Sequence, residues 1–206
     1  MGRDDWYRSR EWTPAIEDAF NAKLGRARDQ RQYLLIQADH IAETSPLAAL
    51  VLLERYFELD DESFLAPAFL VQAHAQLALG DLDAALESYD SALAQESKRP
   101  STRTVAALEY PLLVAQQRLV HRYDHALSVL SEKSDAFLPL HHFQRAAAIA
   151  LISMDLGDKV SATRFACLAL EQANRESSGL QRHATIGLVG DGFEALRIRL
   201  LEITKA

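Results

Sequence analysis

The sequence predicts an all-α protein made of antiparallel helix pairs, and three observations carry that expectation. Apolar residues recur every three or four positions through most of the 206 residues, the breaks between runs are short, and Gly-Asp pairs stand at two of the breaks. A 3.6-residue period gathers the apolar side chains of each run on one helix face. A glycine that accepts positive φ can close one helix, and an aspartate directly after it can cap the next. Every apolar run follows the helical period, so no sheet is expected.

Composition narrows the function classes. With 49% apolar and 25% charged residues the chain can bury a core and stay in solution, and 29 Asp plus Glu against 22 Lys plus Arg leave a net charge of -7. An acidic chain has no electrostatic grip on phosphate backbones, so nucleic acid is not an expected partner. The single Cys167 excludes an intrachain disulfide; it lies mid-helix between Phe165 and Leu168 and is expected to be a protonated core residue. The first ten residues lack the apolar core of a signal peptide, and no later run approaches the ~18 apolar residues of a membrane span. A cytoplasmic protein without membrane partners is the expectation.

Taken in order, residues 1–12 form a polar arm anchored only by Trp6 and Tyr7. Thr13-Pro14 supplies a cap and a first-turn proline for a helix to about Asp29, and Tyr33–Thr44 reads as another. Ser45-Pro46 repeats the signal and opens a helix expected to bury Leu47, Leu50, Leu53, Tyr56 and Phe57, closing in the acidic run from Glu58 to Glu62. Helices are then expected over Phe64–Leu79 and Leu82–Gln95, with Pro67 early enough to be tolerated. After a basic break at Lys98–Thr104, a helix over Thr104–Val120 must kink or restart at Pro111, and Tyr123–Lys133 follows. Leu140–Leu156 and Lys159–Asn174 flank Gly157-Asp158, which copies Gly80-Asp81. A glycine-rich stretch with Gly179, Gly187, Gly190 and Gly192 leads to a last helix bearing Phe193, Leu196, Leu200 and Ile203 on one stripe.

The segment Ala78–Leu93 carries the most specific pattern, Gly80-Asp81-Leu82 followed by Ala85, Tyr89 and Ala92. It resembles the second helix of a tetratricopeptide repeat, and the chain is similar to divergent bacterial-type members of that family. Ala49, Ala85, Ala126 and Ala162 align across four units at separations of 36, 41 and 36 residues, near the family period of about 34. The residues four further on are Leu53, Tyr89, Leu130 and Ala166. The resemblance implies one domain, a right-handed superhelical solenoid with repeats over 33–174 and a capping helix within 175–206. It also implies a concave groove lined by the first helix of each pair, which binds a protein or peptide. The groove positions are Arg31, Leu34 and Ala38 in the first unit, Leu70, His74 and Leu77 in the second, Ala115 and Arg118 in the third, and Gln144, Leu151 and Met154 in the fourth. The Lys and Asn clamp with which some members hold a terminal carboxylate is absent, since Leu34, Ala38, Leu70 and His74 occupy its places.

No residue set promises catalysis, a cofactor or a metal. His121 and His125 are four apart but straddle the turn at Arg122, and the neighbours His141-His142 point about 100° apart on a helix and are expected at the surface. Gly187–Gly192 could surround a small anion with backbone amides, but it lacks the lysine and the strand of a phosphate loop. The alternative to a binding scaffold is a ligand sensor or enzyme with its site at the groove mouth near that segment. The cluster Glu54, Glu58, Asp60, Asp61, Glu62 could receive a basic partner or simply solvate a helix end. On the last helix Ile198 and Leu201 fall outside the buried stripe and suggest weak homodimerisation.

Overall fold

The computed structural model describes residues 5–59, 63–132 and 137–205. Among them the chain forms ten α-helices, three short 3-10 turns and no strand, and it divides into two compact units, Met1–Ala106 and Ala107–Ala206. The expected ends of the acidic run, Asp60 to Glu62, and of the helix at Lys133 lie outside the described residues.

The first unit holds α1 (Pro14–Leu24), α2 (Gln30–Ile41), α3 (Pro46–Phe57), α4 (Leu65–Ala78) and α5 (Leu82–Lys98). Thr13 Oγ1 accepts the Ile16 amide at 3.4 Å, and Pro14 occupies a first-turn position whose N–H has no helical partner anyway. Helix α2 starts before the expected Tyr33 because Asp29 takes the cap, its Oδ1 accepting the Arg31 amide at 3.3 Å. Ser45 makes no side-chain cap bond, so Pro46 alone marks the start of α3. Helix α3 buries Ala49, Leu52, Leu53 and Tyr56; of the expected face, Leu50 and Phe57 are half-buried against the core, and Leu47 falls outside it at 68% exposed. Ala49 sets that phase, because a small residue is what the closest approach of two helices needs. These residues join Phe20, Leu24, Leu34, Ile41, Ala68, Val71 and Ala75 in one core.

The second unit holds α6 (Ala106–Gln116), α7 (Tyr123–Glu132), α8 (Pro139–Asp155), α9 (Lys159–Ala173) and α10 (Glu194–Ile203). Helix α6 runs on through Pro111 but ends at Gln116, four residues short of the expected Val120. Helix α9 buries Ala162, Ala166, Ala169 and Ala173, and this all-alanine seam lets it lie close to α8. Cys167 falls one position past Ala166, out of phase with the seam, and is exposed rather than part of the core as expected. On α10, Leu196, Leu200 and Ile203 are buried, whereas Ile198 and Leu201 are 51% and 45% exposed, as the helical spacing requires.

One backbone reversal occurs three times. Gly80, Arg118 and Gly157 have φ of 78°, 54° and 83°, and the amide after each bonds five residues back, from Asp81 to Gln76, Leu119 to Val114 and Asp158 to Ser153 at 2.9–3.0 Å. This is the Schellman end, which satisfies the last carbonyls of a helix and turns the chain directly into the next. Asp81 and Asp158 then cap α5 and α9, accepting the amides of Ala84 and Ser161 at 3.1 and 3.0 Å. The Asp158 carboxyl is accordingly held below its usual range, chiefly by its hydrogen bonds with Ser161. The aligned alanines Ala49, Ala85, Ala126 and Ala162 are each 0% exposed.

Gly187 has the same left-handed φ, 69°, with a further constraint: a Cβ there would stand 2.7 Å from Leu138 Cδ1, whereas one at Gly80 would meet nothing within 4 Å. Gly80→Ala is therefore expected to cost about 1 kcal/mol, the conformational penalty alone, and Gly187→Ala more than that. Urea unfolding checks the order; equal stability of both variants and wild type contradicts it.

Candidate functional site

The groove positions expected from the repeat separate into core and surface. Leu34, Leu70 and Leu151 are 1%, 9% and 1% exposed, Gln144 is 7% exposed, and Ala38 and Ala115 are fully covered. These six are core rather than groove, because each lies on the face its helix turns toward neighbouring helices. Arg31, His74, Leu77 and Met154 are partly exposed. Arg118 is exposed at the α6 reversal, where an arginine stands in the conformation that the other two reversals give to glycine.

In each unit a terminal segment covers part of the expected groove side. In the first, the arm before α1 lies on α2. The buried Gln37 takes both backbone groups of Ser9, Oε1 accepting the Ser9 amide at 3.1 Å and Nε2 donating to the Ser9 carbonyl at 2.7 Å. Thr44 Oγ1 donates to the Arg10 carbonyl at 3.0 Å, and the rings of Trp6 and Tyr7 pack against Tyr33, tilted and edge-on, at separations of 4.8 and 4.7 Å. A side-chain amide carries a donor and an acceptor side by side and so can match the N–H and C=O of a single residue, and this one is fully buried, which raises the cost of leaving it unpaired. In the second unit α10 packs on α8 and α9, and a cavity of about 230 Å³ between α8 and α10 is lined by Leu151, Met154, Asp155, Arg199, Glu202 and Ile203.

Beside the arm lies a polar cavity of about 410 Å³ bounded by Arg10, Asp39, His40, Ala42, Glu43, Thr44 and His74. His40 Nδ1 faces the Ile36 carbonyl at 3.0 Å, and the Thr44 hydroxyl is committed to Arg10. The cavity can hydrogen-bond a polar segment, but its hydroxyl is held by a backbone carbonyl and is not aimed at an imidazole as an activated nucleophile requires. Across the break after α5, the buried Glu96 accepts both the amide and the hydroxyl of Thr104, at 3.0 and 2.6 Å, and so fixes Lys98–Thr104.

The strongest polar constellation was not legible in the sequence. Tyr123 donates to Asp155 Oδ2 at 2.6 Å, and Arg118 approaches the same carboxylate with Nη2 at 2.8 Å and Nε at 3.1 Å. The reversal after α6, the start of α7 and the end of α8 are thereby tied to one group. Burial first, and the hydrogen bond to Asp155 second, push the Tyr123 hydroxyl up to about 12. The residues are 37 and 32 positions apart in the chain, so no local spacing announces them.

The remaining candidates resolve individually. His121 lies in the 3-10 turn Val120–Arg122 and His125 on α7, where its Nδ1 is 3.0 Å from Tyr110 Oη. His141 is half-buried rather than at the surface: its Nδ1 has no hydrogen-bond partner among the described residues, and burial followed by the charge of His142 lowers its pKa. In the glycine-rich segment the Gly187 carbonyl accepts the Leu140 amide at 2.8 Å, which docks the segment on the start of α8. Among the described residues no group of three or more His, Cys, Asp or Glu is placed to hold a metal ion, and no helix is long and apolar enough to cross a membrane. No family model matches the chain, and searches of curated proteins and of solved structures gave no match.

The raised Tyr123 hydroxyl predicts a pH effect with a definite sign. The folded state favours the neutral phenol, so its stabilising effect is complete below the ordinary pKa of 10 and is lost as pH rises from 10 through about 12. Denaturant midpoints between pH 9 and 12 should fall more steeply for wild type than for Tyr123→Phe; parallel curves contradict the assignment.

Proposed function

We propose that this chain is a non-catalytic helical-repeat scaffold of the tetratricopeptide type, its pairs following one another in a right-handed superhelical stack capped by α10. It holds a protein or peptide partner, in the cytoplasm, through the faces of its helix pairs. The recurring reversal at Gly80, Arg118 and Gly157 and the aligned, wholly buried alanines support the repeat reading. The observation that carries the binding reading is Gln37. A helix of the first unit already grips a chain segment by its backbone, the sequence-tolerant part of peptide recognition. The exposed Ile198 and Leu201 support weak pairing of two copies through α10 as a second, smaller contact.

Cross-linking and affinity capture from the native cell, with the full-length chain as bait, tests the reading. The expected result is a defined protein or peptide recovered in saturable amount. Failure to recover any, together with turnover of a small molecule by the purified chain that His74→Ala abolishes, contradicts it.

A further inference from the structure

One edge of α3, which includes Leu47 from the face expected in the core, is instead an open groove wall. Leu47, Leu50, Val51 and Phe57 of α3 face Gln72 and Gln76 of α4 across a groove of about 780 Å³, and Glu54 and Glu58 stand on its rim. Leu47 and Val51 are 68% and 52% exposed, far above the other aliphatic residues that α3 buries. Single exposed apolar residues need no explanation, but these adjoin on one stripe and share a concave surface.

The order of chemistry along that stripe is specific. Leu47, Val51, Glu54 and Glu58 are spaced by four, three and four residues, so they lie in line on one helix face over about 16 Å. The first two are apolar and the last two are carboxylates. The lining contains no lysine, arginine or histidine, and neither carboxylate has an ion-pair partner among the described residues. Phosphate-bearing partners are repelled by such a rim.

We infer that the α3–α4 groove docks an amphipathic helix of a protein partner, with two aliphatic side chains one turn apart against Leu47 and Val51 and basic side chains on the next turns against Glu54 and Glu58. The aliphatic contacts supply the burial, and the charges fix direction and register, because a reversed helix sets its apolar residues against carboxylates and its lysines against Leu47 and Val51. The inference rests on the scaffold reading and names the partner's chemistry.

The test uses the full-length chain and a fluorescent Ala/Gln-rich helical peptide carrying two leucines one turn apart followed by two lysines, with a twin in which glutamates replace the lysines. The expected result is saturable binding of the lysine peptide that weakens with salt and drops about tenfold or more in Glu54→Lys/Glu58→Lys and in Leu47→Ser/Val51→Ser. The glutamate twin should bind only the double-lysine variant. All four positions carry solvent-exposed side chains, and helical circular dichroism verifies that each variant is folded. Absence of binding, equal binding of both peptides, or unchanged affinity in both variants overturns the inference. Sedimentation that shows a wild-type dimer split by Val51→Lys also overturns it, since the groove then belongs to a second copy. A captured cellular partner that binds these variants as well as wild type leaves the scaffold standing and removes only this groove.

Discussion

Close approach of paired helices is the constraint on which the rest of this structure depends. Two helices joined by a turn of three residues must lie against each other from their first turns, which demands a small side chain at the crossing and a residue of positive φ at the reversal. Ala85 and Gly80 meet both demands in the first unit, and Ala162 and Gly157 meet them in the second. Once that spacing is set, the larger residues four positions on, such as Tyr89 and Leu130, fill the layer between helices, and the phase of every exposed residue follows. The groove wall at Leu47 and Val51 is a consequence of Ala49 taking the buried phase of α3.

The reversal between α6 and α7 shows what happens when the demand is met less directly. Arg118 adopts the left-handed conformation without being glycine, at a conformational cost of about 1–2 kcal/mol. Its guanidinium lies on Asp155, which also takes the Tyr123 hydroxyl, so electrostatic and hydrogen-bond contacts offset the backbone strain. An ion pair that is exposed on the arginine side is worth little alone; a carboxylate serving two donors at the meeting of three elements is worth more.

Most of the helices could be read from the sequence because capping and periodicity are local. Thr13-Pro14, Gly80-Asp81 and Gly157-Asp158 each state a boundary in two residues, and the structure places helix ends there. Errors arose where a choice depended on a partner helix. Periodicity alone could not distinguish Leu47 from Ala49 as the buried side of α3, nor place Cys167 outside the alanine seam of α9. The candidate site was less legible still. A groove position inferred from a repeat pattern does not say whether the chain's own segments lie over it, and Gln37 meets Ser9 across 28 residues. His74 kept a surface because the cavity beside the arm happens to reach it, while Leu34 and Leu70 went to the core.

The claim that close helix approach at the small residues governs the fold is tested most directly by enlarging one of them. Thermal and urea unfolding of Ala85→Leu should show a loss of about 1–3 kcal/mol, as overpacking of a well-filled contact requires, while Ala94→Leu, at an exposed position of the same helix, should change stability by less than about 0.5 kcal/mol. If Ala85→Leu is as stable as wild type, the contact has room to spare and the account is wrong.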